Sequence, residues 1–175
     1  AAMYFRMIKA LRSWVIARWR ARHAAPRESF GQPGGLPLSE ARRVLLLRSS
    51  PHDALPELRK LFPRAEWVAC CFRSGKERTP LSGTKSYIHS ADFDFWDLPR
   101  PELVRALQAD FYDLVIQWDS HETWQESMER VAEVIRTRLR ISFVAQASLE
   151  VFDCVMEHPQ PNQGDTQQIL QSISA

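Results

Sequence analysis

Two short groupings in this 175-residue chain set an imidazole beside a carboxylate: His52 with Asp53, and Asp119 with His121 and Glu122. Such pairs exchange a proton as general base and acid, or ligate a divalent cation once a third donor joins them. Ser49 and Ser50 precede the first grouping and would add hydroxyls to it. A third set, His89 with Asp92 and Asp94, has ligand chemistry too, but Phe93, Phe95 and Trp96 bracket its carboxylates. That is the pattern of a packed edge. Cys70, Cys71 and Cys154 fit no zinc spacing, because adjacent side chains on a strand point to opposite faces and a closed site needs about four ligands. They read as reduced core residues.

None of these groupings is a complete catalytic set. Asp53 and Ser120 are equally suited to capping helices, and Glu122 complements a helix N-terminus. No GxGxxG or GxxxxGKS/T run occurs, so no glycine loop lets backbone N–H groups approach a dinucleotide or triphosphate. GxSxG, HExxH and CxxC are absent as well, which removes the usual signals of nucleophilic and zinc chemistry. The sequence predicts neither an enzyme nor a metal or cofactor site, and shows no DNA-binding motif and no evident small-molecule substrate. Ser49, Ser50, His52, Asp119 and His121 are the residues expected at a ligand crevice if one exists.

The elements around those residues alternate. Arg43–Arg48 (RVLLLR) is a short continuous apolar run, as a buried parallel strand requires, and 51–62 reads as a helix with Leu55, Leu58, Leu61 and Phe62 inward. Strands are expected over 66–72, 86–89, 112–118, 140–145 and 151–156, and helices over 102–109, 122–136 and 166–173. Pro99 and Pro101 stand where a helix opens. Strand and helix in alternation predict an α/β three-layer sandwich, mostly parallel, in a Rossmann-like or flavodoxin-like arrangement. In such sheets ligands sit beyond the carboxyl ends of the strands, which places Ser49–Asp53 and Asp119–Glu122 at the crevice.

The strongest compositional feature lies outside this body. The first 27 positions hold seven basic residues and no acidic one, against 16 basic and 21 acidic in the remainder, so an arm of +7 joins a body of −5. Charge acts over a Debye length of about 8 Å, so the arm and not the overall +2 decides what the segment attracts. Tyr4, Met7, Ile8, Leu11, Trp14, Val15 and Trp19 fall on one stripe at helical spacing, with Arg6, Lys9, Ser13 and Arg20 opposite. Arg18 and Arg22 intrude near the end of the stripe, where long stems still reach an anion. Three prolines and three glycines between 25 and 37 then break all periodicity. The expected organisation is a basic amphipathic helix over 1–24, a linker over 25–37 and a single α/β domain over 38–175.

No run of about 18 apolar residues is present, so no span is expected. Arg12, Arg18, Arg20 and Arg22 interrupt any signal-like core, and the segment is closer to an Arg-rich, acid-free transit peptide. Three cysteines without a secretory signal favour a reducing compartment, the cytoplasm, with peripheral attachment to the inner membrane as the other expectation.

Two resemblances follow. The stretch FYDLVIQWD (111–119), a helix, and then RISF (140–143) resembles a sheet segment of heptosyltransferase-type glycosyltransferases, in which a YDLVID-like strand precedes an RIGF-like one. The chain departs from it at Gln117, where that family has Asp, and at Ser142, where it has Gly; what the likeness implies is a degenerate sugar-nucleotide transferase-like domain. Over most of the body the chain is also similar to a family of small uncharacterised bacterial α/β proteins. These have a basic amphipathic N-terminus, a Pro/Gly break, a VLLL-type strand, an aromatic-acidic segment (here DFDFWDLP) and an FDLLI-type strand (here YDLVI). That likeness implies a fold and no activity.

The functional expectation rests on the arm. Arg6, Lys9, Arg12, Arg18, Arg20, Arg22 and Arg27 are the anion-binding candidates, and the apolar stripe the partner-binding face. A non-catalytic accessory module is expected to dock through this helix, first onto a ribosomal or other RNA–protein assembly, since Arg neutralises phosphate and stacks on bases. An anionic membrane surface is the alternative partner.

Overall fold

The computed structural model describes residues 2–26, 40–49, 58–60, 62–73 and 84–157. The sequence-predicted helix over 166–173 and most of the one over 51–62 lie outside them, as do Ser50, His52, Asp53 and Arg27.

Six strands form one sheet: β1 (Arg43–Arg48), β2 (Glu66–Arg73), β3 (Thr84–His89), β4 (Phe111–Gln117), β5 (Arg136–Ser142) and β6 (Cys154–Val155). Their order is β3-β2-β1-β4-β5-β6 and every pairing is parallel. This is the Rossmann order; a flavodoxin-like sheet would carry β2 at one edge. β1 is central because its side chains are apolar on both faces. Val44 and Leu46 join one core with Leu58, Phe62, Trp67, Leu114 and Ile116, while Leu45 and Leu47 join the other with Phe72, Val115, Met128 and Val131. Helical residues 58–60 lie over the first face. The second is covered by α2 (Pro101–Gln108) and α3 (Gln125–Val134), completing the three layers.

The boundary between α3 and β5 differs from the expectation. The sequence reading runs the helix to Arg136 and starts the strand at Arg140, whereas α3 stops at Val134 and β5 begins at Arg136. Arg136 and Arg138 are exposed while Thr137 and Leu139 are buried, which is strand periodicity hidden behind a basic composition. Arg140 is buried and ends the helix physically: its Nη2 donates to the carbonyls of Glu133 (3.2 Å) and Ile135 (3.1 Å), a cation placed on a helix C-terminus. The final strand is also shorter than expected, confined to Cys154–Val155.

Candidate functional site

In this strand order the chain reverses direction of growth between β1 and β4, so the switch-point crevice opens beyond Arg48 and Gln117. Three of the sequence-predicted residues, Ser49, Asp119 and His121, meet there across about seventy positions. The Asp119 carboxylate accepts the Ser49 backbone N–H at 2.6 Å and the Ser49 hydroxyl at 3.2 Å, and Ser49 Oγ in turn accepts the His121 N–H at 3.0 Å. Trp118 N donates to the Leu47 carbonyl at 2.9 Å and prolongs the ladder into this stitch.

The geometry supports a structural role for the trio. The His121 ring is engaged by Thr123: its Nδ1 lies 3.1 Å from Thr123 Oγ1 and caps the turn 122–124, the place expected for Ser120. Ser120 Oγ donates to the His121 carbonyl instead. The N–H that would meet a phosphate after β1 is held by a carboxylate, and that negative charge also repels an anion.

A second polar cluster lies behind the crevice. Gln117 and Ser142, both fully buried, stand opposite each other in the β4–β5 register, and Ser142 Oγ donates to Gln117 Oε1 at 2.7 Å. The amide nitrogen of Gln117 approaches Gln125 Oε1 (3.5 Å) and Met128 Sδ (3.7 Å). Gln125 donates to Glu129, whose carboxylate also takes the Ser148 N–H. The two positions that depart from the heptosyltransferase pattern are thus one paired feature joining β4, β5 and α3. Sequence reasoning marked them as departures but missed the pairing, because it depends on β4 and β5 being neighbours in register.

The third grouping is also consumed by backbone. Asp92 Oδ2 accepts the His89 N–H at 2.8 Å, and Asp94 Oδ1 accepts those of Trp96 (2.8 Å) and Leu98 (3.1 Å). Asp97 adopts the left-handed region at φ 59° to close this loop. Phe93 is buried as a packed edge requires, but Phe95 is 90% exposed and touches Trp96 edge-on. Among the described residues no set of three His, Cys, Asp or Glu is placed to hold a metal ion. None of the three cysteines is in a disulfide; Cys70 and Cys71 are buried and Cys154 is half-buried.

The arm forms α1 (Ala2–His23). Its second half is fastened to the body. Arg20 Nη2 lies 2.9 Å from Glu133 Oε1, Arg12 pairs with Glu126, the Ala25 N–H donates to the Glu133 carbonyl (2.9 Å), and Gln108 donates to the His23 carbonyl (2.8 Å). The Glu126 carboxylate raises the Arg12 guanidinium pKa further above its ordinary value. Ala25, expected to open the linker, therefore belongs to the anchored segment. Arg12 and Arg20, expected to face an external anion, face the body's own acids.

The first half is different. Met3, Tyr4, Phe5, Met7, Ile8, Leu11 and Trp14 are exposed by between 39% and 85%, whereas Val15 and Trp19 are half-buried. The helix thus rests on one edge of its apolar stripe, with Ile16 added from outside it, and leaves the line through Met7, Leu11, Trp14, Arg18 and Arg22 in solvent. Arg6, Lys9, Arg18 and Arg22 are exposed and form no ion pair among the described residues. Lys9 and Arg18 instead lie over the rings of Phe5 (5.1 Å) and Trp14 (5.3 Å).

Comparison with protein-family models, with curated proteins and with solved structures yields no match for this chain. No described helix is long and apolar enough to cross a membrane.

Proposed function

We propose that this chain is a non-catalytic α/β module that docks onto a larger anionic partner through α1. One observation carries the reading: the helix is anchored through Arg12, Val15, Ile16, Trp19 and Arg20, while seven large apolar side chains between Met3 and Trp14 face solvent together with Arg6, Lys9, Arg18 and Arg22, which form no ion pair among the described residues. A helix that only completed the core would turn its apolar stripe inward, because burying a large apolar side chain contributes roughly 1.5–3 kcal/mol. Here the body covers only the stripe's edge. The crevice adds support from the opposite direction, since Ser49, Asp119 and His121 satisfy one another and the loop after β1 has no glycine.

Of the cations behind the RNA–protein expectation, Arg20 is paired with Glu133 and Arg27 lies outside the described residues. Arg18 and Arg22 remain available to phosphate. The test is native-lysate fractionation of the full chain and of Met7→Asp/Leu11→Asp/Trp14→Asp, on sucrose gradients with and without nuclease and by membrane pelleting. Docking predicts that the wild type travels with a large particle or membrane and the variant does not. A wild type that runs as a free monomer in every fraction overturns the proposal.

A further inference from the structure

Resting on that docking reading, we infer that the partner of α1 is the interface of an anionic lipid bilayer, entered by the first turns of the helix with Arg18 and Arg22 at headgroup depth. The exposed line of α1 is ordered along its length: Met7, Leu11 and Trp14 come first, then Arg18 and Arg22, nearer the anchored end. A helix presenting that line to a bilayer tilts its apolar end inward and leaves the cations among the phosphates. The stacking of Arg18 on Trp14 at 5.3 Å sets a guanidinium against an indole, the residue type that populates membrane–water interfaces.

The choice among partners follows from what each would cover. RNA offers phosphates to Arg18 and Arg22 and base faces to Tyr4, Phe5 or Trp14, but leaves the aliphatic and thioether chains of Met3, Met7, Ile8 and Leu11 wet. A second copy docked helix to helix would bring together two segments that contain no carboxylate, so like charges would face each other. An acyl–headgroup boundary takes both halves at once: apolar chains that re-pack freely, and cations that each raise partitioning onto anionic lipid about fivefold. The body's own charge fits this arrangement. Its −5 is repelled by the same surface that attracts the arm, so the sheet stands off the membrane while α1 engages it.

The experiment is vesicle flotation of the purified full-length chain, with phosphatidylcholine vesicles and with mixed phosphatidylcholine–phosphatidylglycerol vesicles, alongside tryptophan emission. Expected are co-flotation and a blue shift with the mixed vesicles only. Arg18→Glu/Arg22→Glu and Leu11→Asp/Trp14→Asp should each lower partitioning about tenfold or more. All four positions are at the surface, and circular dichroism of the variants checks that the fold survives. Flotation that survives Leu11→Asp/Trp14→Asp overturns insertion. Absence of flotation, together with arm-dependent, nuclease-sensitive comigration with ribonucleoprotein, overturns the lipid inference and leaves docking standing. Absence of both overturns the two together.

Discussion

Arg20 and Glu133 join α1 to α3 at 2.9 Å, and Glu133 is the hub of that contact. Its carboxylate also accepts Arg130 (2.7 Å), while its carbonyl accepts the Ala25 N–H and Arg140 Nη2. Only the side-chain half of this is removable by mutation. Glu133→Ala should leave the buried end of Arg130 unpaired and release Arg20, lowering stability by about 1–3 kcal/mol. The diagnostic readout is amide exchange: the segment 15–25 should exchange faster while β1 and β4 keep their protection. Unchanged exchange in that segment would show that apolar packing of Val15, Ile16 and Trp19 holds the helix without the ion pair.

The Gln117–Ser142 pair makes a second prediction. Ser142→Ala removes the hydroxyl that donates to Gln117 and accepts the Val144 N–H, so two fully or partly buried groups lose a partner. A loss of about 1–3 kcal/mol is expected from urea denaturation. Gln117→Met with Ser142→Ala should cost less than the two single losses added, by about 1 kcal/mol, because no orphaned amide remains. Strict additivity would mean that the two side chains do not act as a pair.

The strands were legible where burial on both faces leaves a continuous apolar run, as in RVLLLR and YDLVI, whereas α1 was legible from residue spacing alone, since most of its apolar stripe is solvent-exposed. What escaped were relations that exist only after strand order is set. Ser49 and Asp119 lie seventy positions apart, and nothing local says that Asp119 will hold the backbone of Ser49 in preference to capping its own helix. The α3–β5 boundary escaped because Arg136, Arg138 and Arg140 look alike in sequence, yet two are solvated and the third is buried against helix carbonyls. The edge of α1 that docks was hidden too. Periodicity identifies a stripe, but Glu126 and Glu133, which decide how the helix is rotated on the body, are on another element.

At the crevice, Asp119→Ala should free the Ser49 N–H and hydroxyl and loosen the mouth between β1 and β4, at a cost of about 1–2 kcal/mol. Removing this carboxylate also removes the charge that opposes an anion there. Inorganic phosphate or a nucleotide should still fail to raise the melting temperature of the wild type. A clear stabilisation of the wild type by a sugar nucleotide would reopen the transferase-like reading that Gln117 and Ser142 argue against.

The last prediction concerns alkaline pH. Burial pushes the Tyr112 hydroxyl above its ordinary 10.0, with Cys70 adding to the rise and Arg43 opposing it, and burial with Asp153 pushes the Cys154 thiol above 9.0. Both groups therefore hold their protons more tightly in the fold than in the unfolded chain. Below the ordinary values both states are protonated and neither group contributes a pH slope, so stability is fully present near neutrality. As pH rises past about 9 and then 10 the unfolded chain ionises first, and stability falls until the folded groups ionise as well. Denaturation midpoints measured from pH 7 upward should stay flat, as far as these groups are concerned, and then decline. Cys154→Ala should remove the early part of the decline and Tyr112→Phe the later part. If Tyr112→Phe leaves the decline unaltered, the phenol ionises as freely in the fold as outside it, and the Arg43 guanidinium 5.1 Å from the ring offsets the burial that would hold its proton.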